Sequence, residues 1–165
     1  MSGAVEPVAA PSPRPTAREY DDSVDEVVVL GQPGENRAGI GFTVTSVDCD
    51  GVTQVTQGTS VQKAWGEFCT VGVDIANNGT TPYLFWETHA VAGVGDYFYA
   101  VDTVSTLWNG ESTAYTEPIE PGTHISTELV FDVPYGEPID FFQFGQAVVA
   151  GLVIVDTSAE YATPS

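Results

Sequence analysis

Hydrophobic and polar residues alternate along much of this chain, in runs of a few residues each. Residues 69–75 place four apolar side chains on one face and polar or small side chains on the other, and residues 125–133 repeat this pattern. Residues 42–47 alternate in the same way. A period of two residues is typical of half-buried antiparallel β-strands. These runs therefore predict strands that each turn one face toward a core.

Turn-forming sequences separate the runs, among them Asp-Gly at 50–51, Asn-Gly at 109–110 and Pro-Gly at 121–122. Long helix-forming stretches are missing, and we expect at most one helical turn, near residues 61–65. The apolar run 147–155 is shorter than the about 20 residues that span a membrane, so we expect it to form the last buried strand, with a bulge at Gly151. The pattern predicts an all-β fold, either a sandwich or a barrel.

The first 23 residues differ from the rest in composition, because they carry four of the eleven prolines. Such a segment favours extended, semi-rigid conformations. We therefore divide the chain into a Pro/Ala-rich acidic tether (1–23), a folded domain (24–160) and a short tail (161–165). The start, Met-Ser-Gly-Ala, looks like a bacterial lipoprotein cut just after its lipidated cysteine, with Met1 in the place of that cysteine. The alternative is an intracellular protein that begins at Met1.

The charge of the chain excludes several kinds of partner. Its 165 residues include 23 acidic and only 4 basic ones, which gives a net charge of −19. So few cations cannot form the basic surface that nucleic acids or anionic membranes require. A strongly acidic surface attracts cationic partners, although it also serves solubility alone. The densest acidic cluster, between Asp21 and Glu26, offers oxygen ligands for calcium, but its spacing matches no calcium-binding loop, and a solvated spacer is the alternative.

Residues that support catalysis or metal binding are scarce. The chain has two histidines, His89 and His124, both on predicted strands, and no methionine apart from Met1. A copper site needs a cysteine close to a histidine, and a zinc site needs three or four converging ligands. No nucleophile elbow of the form Gly-x-Ser-x-Gly is present. We therefore expect no enzymatic activity, no metal ion and no cofactor.

The two cysteines, Cys49 and Cys69, are twenty residues apart. One ends an alternating run and the other opens the next, and such ends can lie side by side in a sandwich. An acidic chain with two cysteines fits a single disulfide formed in an oxidising compartment. A reactive or metal-binding thiol would need a histidine or basic residue nearby, and neither cysteine has one in the local sequence.

Aromatic residues cluster at positions where a contact surface can form. Tyr83, Phe85 and Trp86 lie in one predicted strand, and Tyr97 and Tyr99 lie in the next aromatic run. Because both faces of the first strand carry large apolar groups, one face can stay exposed as a contact patch, where Tyr and Trp are enriched. The alternative is that the second sheet and long loops cover both faces.

Four segments of the chain follow one another in the same order as in one protein family. They are Gly-Phe-Thr-Val-Thr-Ser-Val (41–47), Gly-Glu-Phe-Cys-Thr-Val-Gly-Val-Asp-Ile-Ala-Asn-Asn-Gly (66–79), Ile-Glu-Pro-Gly (119–122) and Leu-Val-Phe-Asp-Val-Pro (129–134). They resemble the Ig-like β-sandwich family of bacterial secreted proteins and lipoproteins related to the mycobacterial secreted immunoprotective antigen. The resemblance covers residues 38–156 and departs from the family at 83–99, where a hairpin motif is followed only loosely. It implies an Ig-like antiparallel β-sandwich of about 7–9 strands, located in the cell envelope and without enzymatic activity.

Three functional hypotheses follow. The leading one is a non-enzymatic, extracytoplasmic binding or accessory module of a bacterial cell envelope, with no transmembrane segment, a lipid anchor in its precursor and an unknown protein partner. The second is a structural Ig-like subunit of a surface, pilus or phage assembly. The third is a secreted hydrolase or metal-dependent enzyme, in which His89, His124 and acidic residues would converge in one pocket.

Overall fold

Two β-sheets pack face to face in this protein. The computed structural model describes residues 12–13, 24–108, 117–146 and 151–158. The strands, in chain order, are β1 (Ser12–Pro13), β2 (Val24–Val29), β3 (Gly34–Glu35), β4 (Ile40–Gln57), β5 (Ser60–Asn77), β6 (Ala90–Val94), β7 (Tyr97–Ala100), β8 (His124–Val133), β9 (Phe141–Gln146) and β10 (Gly151–Asp156). A 3-10 helix covers Glu87–His89, and a short helix, α1, covers Thr103–Trp108. The predicted all-β sandwich is confirmed.

The described strands form one sheet in the order β1-β7-β6-β9-β10-β2 and a second sheet in the order β3-β4-β5-β8. Their neighbours run antiparallel, as predicted, except that β2 and β10 run parallel. Alternation specifies which face of a strand is buried, but it does not specify the strand that lies alongside. The parallel pair therefore could not be predicted from the sequence.

The core lies between the inner faces of the two sheets. The alternate apolar residues of β5 and β8 have no exposed surface, and they are Cys69, Val71, Val73, Ile75, Leu129, Phe131 and Val133. Aromatic rings join the two sheets: Phe42 stacks on Phe144 with ring centroids 5.0 Å apart, and Phe131 lies 5.4 Å from Phe142. Burial of each such ring stabilises the fold by about 1.5–3 kcal/mol.

The helical turn predicted near residues 61–65 is wrong, because these residues belong to β5, which pairs with β4. The helix lies instead at Thr103–Trp108. Asp102 caps its first turn, since Asp102 Oδ1 accepts a hydrogen bond from Ser105 N at 2.9 Å. Thr106 then contacts the edge of β8, where Val130 N donates to its Oγ1 at 2.9 Å. Tertiary contacts of this kind override weak local propensity.

The C-terminal apolar run forms a buried strand with different bounds from those predicted. β10 covers Gly151–Asp156, and residues 147–150 lie outside the described part. The bulge predicted at Gly151 is instead in the neighbouring strand β2, where Asp25 is the extra residue. Gly151 is required because its φ is +89° and because a Cβ there would overlap the carboxylate of Asp25.

Most of the predicted tether lies outside the described residues. Its residues Ser12–Pro13 form β1, which pairs antiparallel with β7. The turn predicted at 109–110 and the tail at 161–165 also lie outside the described part.

The acidic cluster between Asp21 and Glu26 is described from residue 24 onward, and Asp25 and Glu26 lie in β2. Asp25 Oδ1 lies 2.8 Å from Arg37 Nη2, and Asp25 Oδ2 accepts a hydrogen bond from Arg37 N at 2.7 Å. These hydrogen bonds to Arg37 hold the pKa of the Asp25 carboxyl below its usual range. One carboxylate of the cluster thus binds a guanidinium within the chain.

Candidate functional site

A disulfide joins Cys49 of β4 to Cys69 of β5, as predicted, with the two Cα atoms 4.4 Å apart. Both cysteines lie inside strands of 18 residues and not at strand ends. The bond therefore links two neighbouring strands of one sheet and closes the base of the hairpin that they form.

The far part of this hairpin extends beyond the disulfide. Residues 54–57 of β4 pair with residues 60–63 of β5, and Gly58, with φ +62°, forms the tight turn between the strands. None of the side chains from 52 to 65 is buried. We call residues 52–64 the hairpin arm.

The carboxylate of Asp132 holds one side of the base of the arm. Trp65 N and Gly66 N donate to the two oxygens of Asp132, at 2.7 and 2.9 Å. Trp65 and Gly66 lie where the register between β4 and β5 shifts, between the pairs Val52–Phe68 and Gln54–Lys63. Burial nevertheless raises the pKa of the Asp132 carboxyl, and the charge of Asp102 raises it further.

A second carboxyl group, that of Glu67, connects strand β4 and the turn at 135–136 to the same base. Glu67 is only 3% exposed, and it accepts hydrogen bonds from Gly51 N and Gly136 N, each at 2.9 Å. One hydrogen bond therefore reaches each oxygen of this buried carboxyl group. The chain that carries Trp65 is therefore held in place from two sides.

Three aromatic side chains gather beside this base. Trp65 contacts Tyr99 of β7 with ring centroids 6.5 Å apart, and Tyr97 lies on the same face of β7 as Tyr99. Trp65 is 60% exposed and Tyr97 is 47% exposed. Burial, and then the nearby charge of Glu137, raises the pKa of the Tyr99 hydroxyl. We call Trp65, Tyr97 and Tyr99 the aromatic shelf.

The other three predicted patch residues do not join the shelf. Phe85 has no exposed surface and belongs to the core, so its prediction as a contact residue is wrong. Tyr83 is half-buried and packs against the same core, whereas Trp86 is 52% exposed. The reason is that this segment is not a strand: Tyr83 forms an isolated bridge to Ile119, and the chain then enters the 3-10 helix.

His89 lies in that 3-10 helix and is buried. Its Nδ1 lies 2.8 Å from the hydroxyl of Tyr83, and Trp86 N donates to the same atom at 3.3 Å. Burial lowers the pKa of His89 and raises that of Tyr83 well above its usual range. The ring is therefore neutral near pH 7, with Nδ1 as the acceptor for the Tyr83 hydroxyl.

A shallow groove of about 450 Å³ lies on the outer face of the four-stranded sheet, and His124 lines it together with several acids. These acids already accept hydrogen bonds within the chain. Glu35 Oε1 accepts from Asn78 Nδ2 at 3.0 Å, and Glu26 Oε1 accepts from Glu35 N at 2.7 Å. Within the described ranges, no three side chains of His, Cys, Asp or Glu come together as a metal site requires.

The aromatic shelf is only partly the patch that the sequence indicated. The sequence pattern indicates Tyr97 and Tyr99 but not Trp65, because it predicts a helical turn at residues 61–65, which belong to β5. The available signal was composition, because residues 52–61 are rich in Val and Thr, which favour an extended strand over a helical turn.

Residues 36–150 match the profile of a domain of unknown function, DUF4352. The chain belongs to the DUF4352 family. Among curated proteins it has no match. The shelf residues lie within the matched range, so the aromatic shelf is part of the DUF4352 domain.

Solved structures share the fold of this DUF4352 chain. A secreted protein from Mycobacterium tuberculosis, MPT63, superposes with a TM-score of 0.54 at 15% identity, over 79% of this chain and 95% of that one. A β-sandwich protein from Clostridium difficile gives 0.50 at 15% identity, over 84% and 97%. A candidate lipoprotein from Bacillus subtilis, ycdA, gives 0.51 at 13% identity, over 78% of this chain and 40% of that one. At such identities the likeness is one of fold.

The fold comparisons confirm the predicted resemblance to the Ig-like β-sandwich family that includes a mycobacterial secreted protein. Of the helices in the described residues, none combines the length and apolar character that a membrane span requires.

Proposed function

We propose that this protein is a non-enzymatic binding module that acts outside the cytoplasm, and that the aromatic shelf contacts a protein partner. The observation that carries the proposal is the exposure of Trp65 and Tyr97 near Tyr99, beside the hydrogen-bonded base of the arm. Trp and Tyr are enriched where protein interfaces are most strongly stabilised.

The chemistry of the shelf favours a partner with cationic side chains. Aromatic faces attract Lys and Arg by cation–π interactions worth about 0.5–1 kcal/mol at exposed sites. Glu137 lies close enough to raise the pKa of Tyr99, so a carboxylate borders the rings. An apolar centre with an acidic rim fits a partner segment that combines apolar and basic residues.

Two observations support a location outside the cytoplasm. The disulfide between Cys49 and Cys69 is of a kind that persists in oxidising compartments. Proteins of the same fold include one named as secreted and one named as a candidate lipoprotein. A lipid anchor on the native precursor would hold the module at the membrane surface.

Photo-crosslinking in the source cells tests the binding surface. A benzoyl-phenylalanine at position 97 should yield a discrete adduct with one protein, and Trp65→Ser should abolish that adduct. The matched control is position 27, since Val27 is 53% exposed and lies on β2, at the opposite edge of the same sheet. The same adducts from positions 27 and 97, or none from 97, would contradict the proposal.

Mass spectrometry of the protein from its native cells tests the location separately. We expect the protein in the envelope fraction, with a mass that increases by two hydrogen atoms on reduction. A lipid-modified cysteine at the mature N-terminus would establish the anchor. A cytoplasmic protein with free thiols at Cys49 and Cys69 would contradict the proposed location.

A further inference from the structure

The hairpin arm differs in charge from the rest of this acidic molecule. Residues 51–66 contain no Asp or Glu, and their one charged residue is Lys63. The whole chain carries 23 acidic residues against 4 basic ones. Another copy of this chain therefore meets little repulsion at the arm, whereas carboxylates surround most other approaches.

The arm also has open strand edges. Among the described residues, the part of β4 from 52 to 57 pairs with β5 alone, since β3 reaches only Gly41 and Phe42. In a two-stranded ribbon, alternate backbone N–H and C=O groups point away from the partner strand. Such an edge is a template for a further strand.

Residues 52–57 lack the features that normally protect an edge. Their sequence, Val-Thr-Gln-Val-Thr-Gln, contains no proline and no charge, and it consists of residues that favour strands or tolerate them. Lys63 carries the kind of charge that disfavours pairing with a further strand. It lies on the other strand of the arm, opposite Gln54. The β4 edge is therefore the side of the arm that can accept a partner.

We propose that two copies of this chain associate through their arms, by antiparallel pairing of residues 52–57 of one copy with residues 52–57 of the other. A two-fold axis relates the two copies in such a pair. Residue i of one copy then lies opposite residue j of the other, and the sum i + j is even. Centred on Val55, the pairing sets Val55 against itself and Thr53 against Gln57. No charged side chains meet along this edge.

The same observations set the strength of the association. A six-residue strand pair is smaller than the about 1,200 Å² of total buried surface that stable complexes usually have. The bodies of the two copies are also both strongly acidic and repel each other. The dimer is therefore weak and depends on concentration, and added salt strengthens it by screening that repulsion.

Charge-swap variants of the arm test this pairing by sedimentation velocity of the full chain, at concentrations up to the millimolar range. Thr53 and Gln57 are exposed, and neither lies opposite Lys63, which pairs with Gln54. We expect Thr53→Glu/Gln57→Glu and Thr53→Lys/Gln57→Lys each to weaken dimerisation at least about tenfold, because like charges oppose each other across the pair. An equal mixture of the two variants should dimerise at least as well as the unmodified protein.

The control Thr80→Glu/Thr81→Glu adds the same charge at two exposed loop positions away from the arm, so it should weaken dimerisation of the folded protein much less than the arm variant does. Thermal unfolding of each variant verifies that it folds.

Three results would overturn the proposal. The first is an unmodified protein that stays monomeric throughout the concentration range or dissociates when salt is added. The second is dimerisation that neither arm variant changes, which would place the interface elsewhere. The third is tighter association of the lysine variant with weaker association of the glutamate variant, which would mean that the arm docks on an acidic face. None of these results bears on the shelf at Trp65 and Tyr97.

Discussion

Phe85 and Trp65 show how differently two large aromatic side chains are used. Phe85 has no exposed surface and contacts the core, and its ring lies 5.9 Å from that of His89. Trp65 is 60% exposed and makes its ring contact with Tyr99 at the edge of the sandwich. One ring therefore stabilises the fold, and the other is available to a partner.

Truncation of these two residues should separate stability from binding. We expect Phe85→Ala to lower the free energy of unfolding by about 3–5 kcal/mol, because it leaves a cavity in a packed core. Trp65→Ala should cost less than about 1 kcal/mol, since surface substitutions rarely cost more. Urea denaturation of both variants measures the difference. Equal losses would mean that Trp65 is part of the structural core.

The buried His89 makes the stability depend on pH. Burial lowers its pKa in the folded state, so the unfolded chain, with a histidine pKa of about 6.5, binds a proton first as the pH falls. The contribution of His89 to the free energy of unfolding is therefore complete above about pH 6.5 and decreases as the pH falls below this value. We expect the free energy of unfolding to fall between about pH 7 and pH 5.

His89→Asn is the control for this effect, since asparagine keeps an acceptor near Tyr83 but does not titrate. The difference in stability between the two proteins should shrink as the pH falls from 7 to 5. Asp25 does not interfere, because its lowered pKa makes its contribution fall only in more acidic solution. The raised pKa of Asp132 acts in the opposite direction, but equally in both proteins. Parallel pH profiles would show that His89 does not titrate on unfolding.

The β4–β5 hairpin is the element that connects the core to the candidate binding surface. Within this one element, Cys69 lies in the core and residues 52–65 have no buried side chain. The disulfide and the carboxylates of Glu67 and Asp132 mark the boundary between the two parts. Because polar contacts hold this boundary, the arm can stay exposed while its base remains ordered.

Removal of the disulfide should destabilise the domain. In a chain-entropy model, a crosslink with a sequence separation of 20 stabilises a fold by about 3 kcal/mol, so we expect Cys49→Ala/Cys69→Ala to lose about that amount. Chemical denaturation measures the loss. The unmodified protein under a reducing agent is the matched control, since it keeps both sulfur atoms in the core. A much smaller loss in the reduced protein would assign the effect to packing of the cysteine side chains.

At the scale of the whole molecule, charge opposes folding. The 23 acidic residues have only 4 basic partners, so most carboxylates repel one another in the compact state. On the outer face of the four-stranded sheet, the pKa of Asp48 is raised by Asp50 and by Glu128. Folding brings such charges closer than they are in the unfolded chain.

Salt should therefore stabilise this protein. Raising the ionic strength from about 0.01 M to 0.1 M shortens the screening length from about 30 Å to about 10 Å, which weakens repulsion across the domain. We expect the melting temperature to rise over this range, measured by circular dichroism. Sodium and potassium chloride should act equally, because screening depends on ionic strength. A decrease in melting temperature would mean that attractive ion pairs dominate.

The sequence by itself determined the properties that depend on period and composition. The alternation in residues 69–75 specified a buried face, because side chains on a strand point alternately to its two sides. The two cysteines predicted the disulfide, and the excess of acids specified the charge. These properties need no knowledge of which element lies next to which.

Tertiary structure alone decided which aromatic residues face solvent. Phe85 and Trp65 have similar apolar character, but Phe85 is packed within the core and Trp65 is exposed beside Tyr99. It also placed the helix at 103–108, where Thr106 contacts the edge of β8, and set β2 parallel to β10. Exposure depends on what covers a residue, and the covering elements are distant in the chain, so no local pattern can specify them.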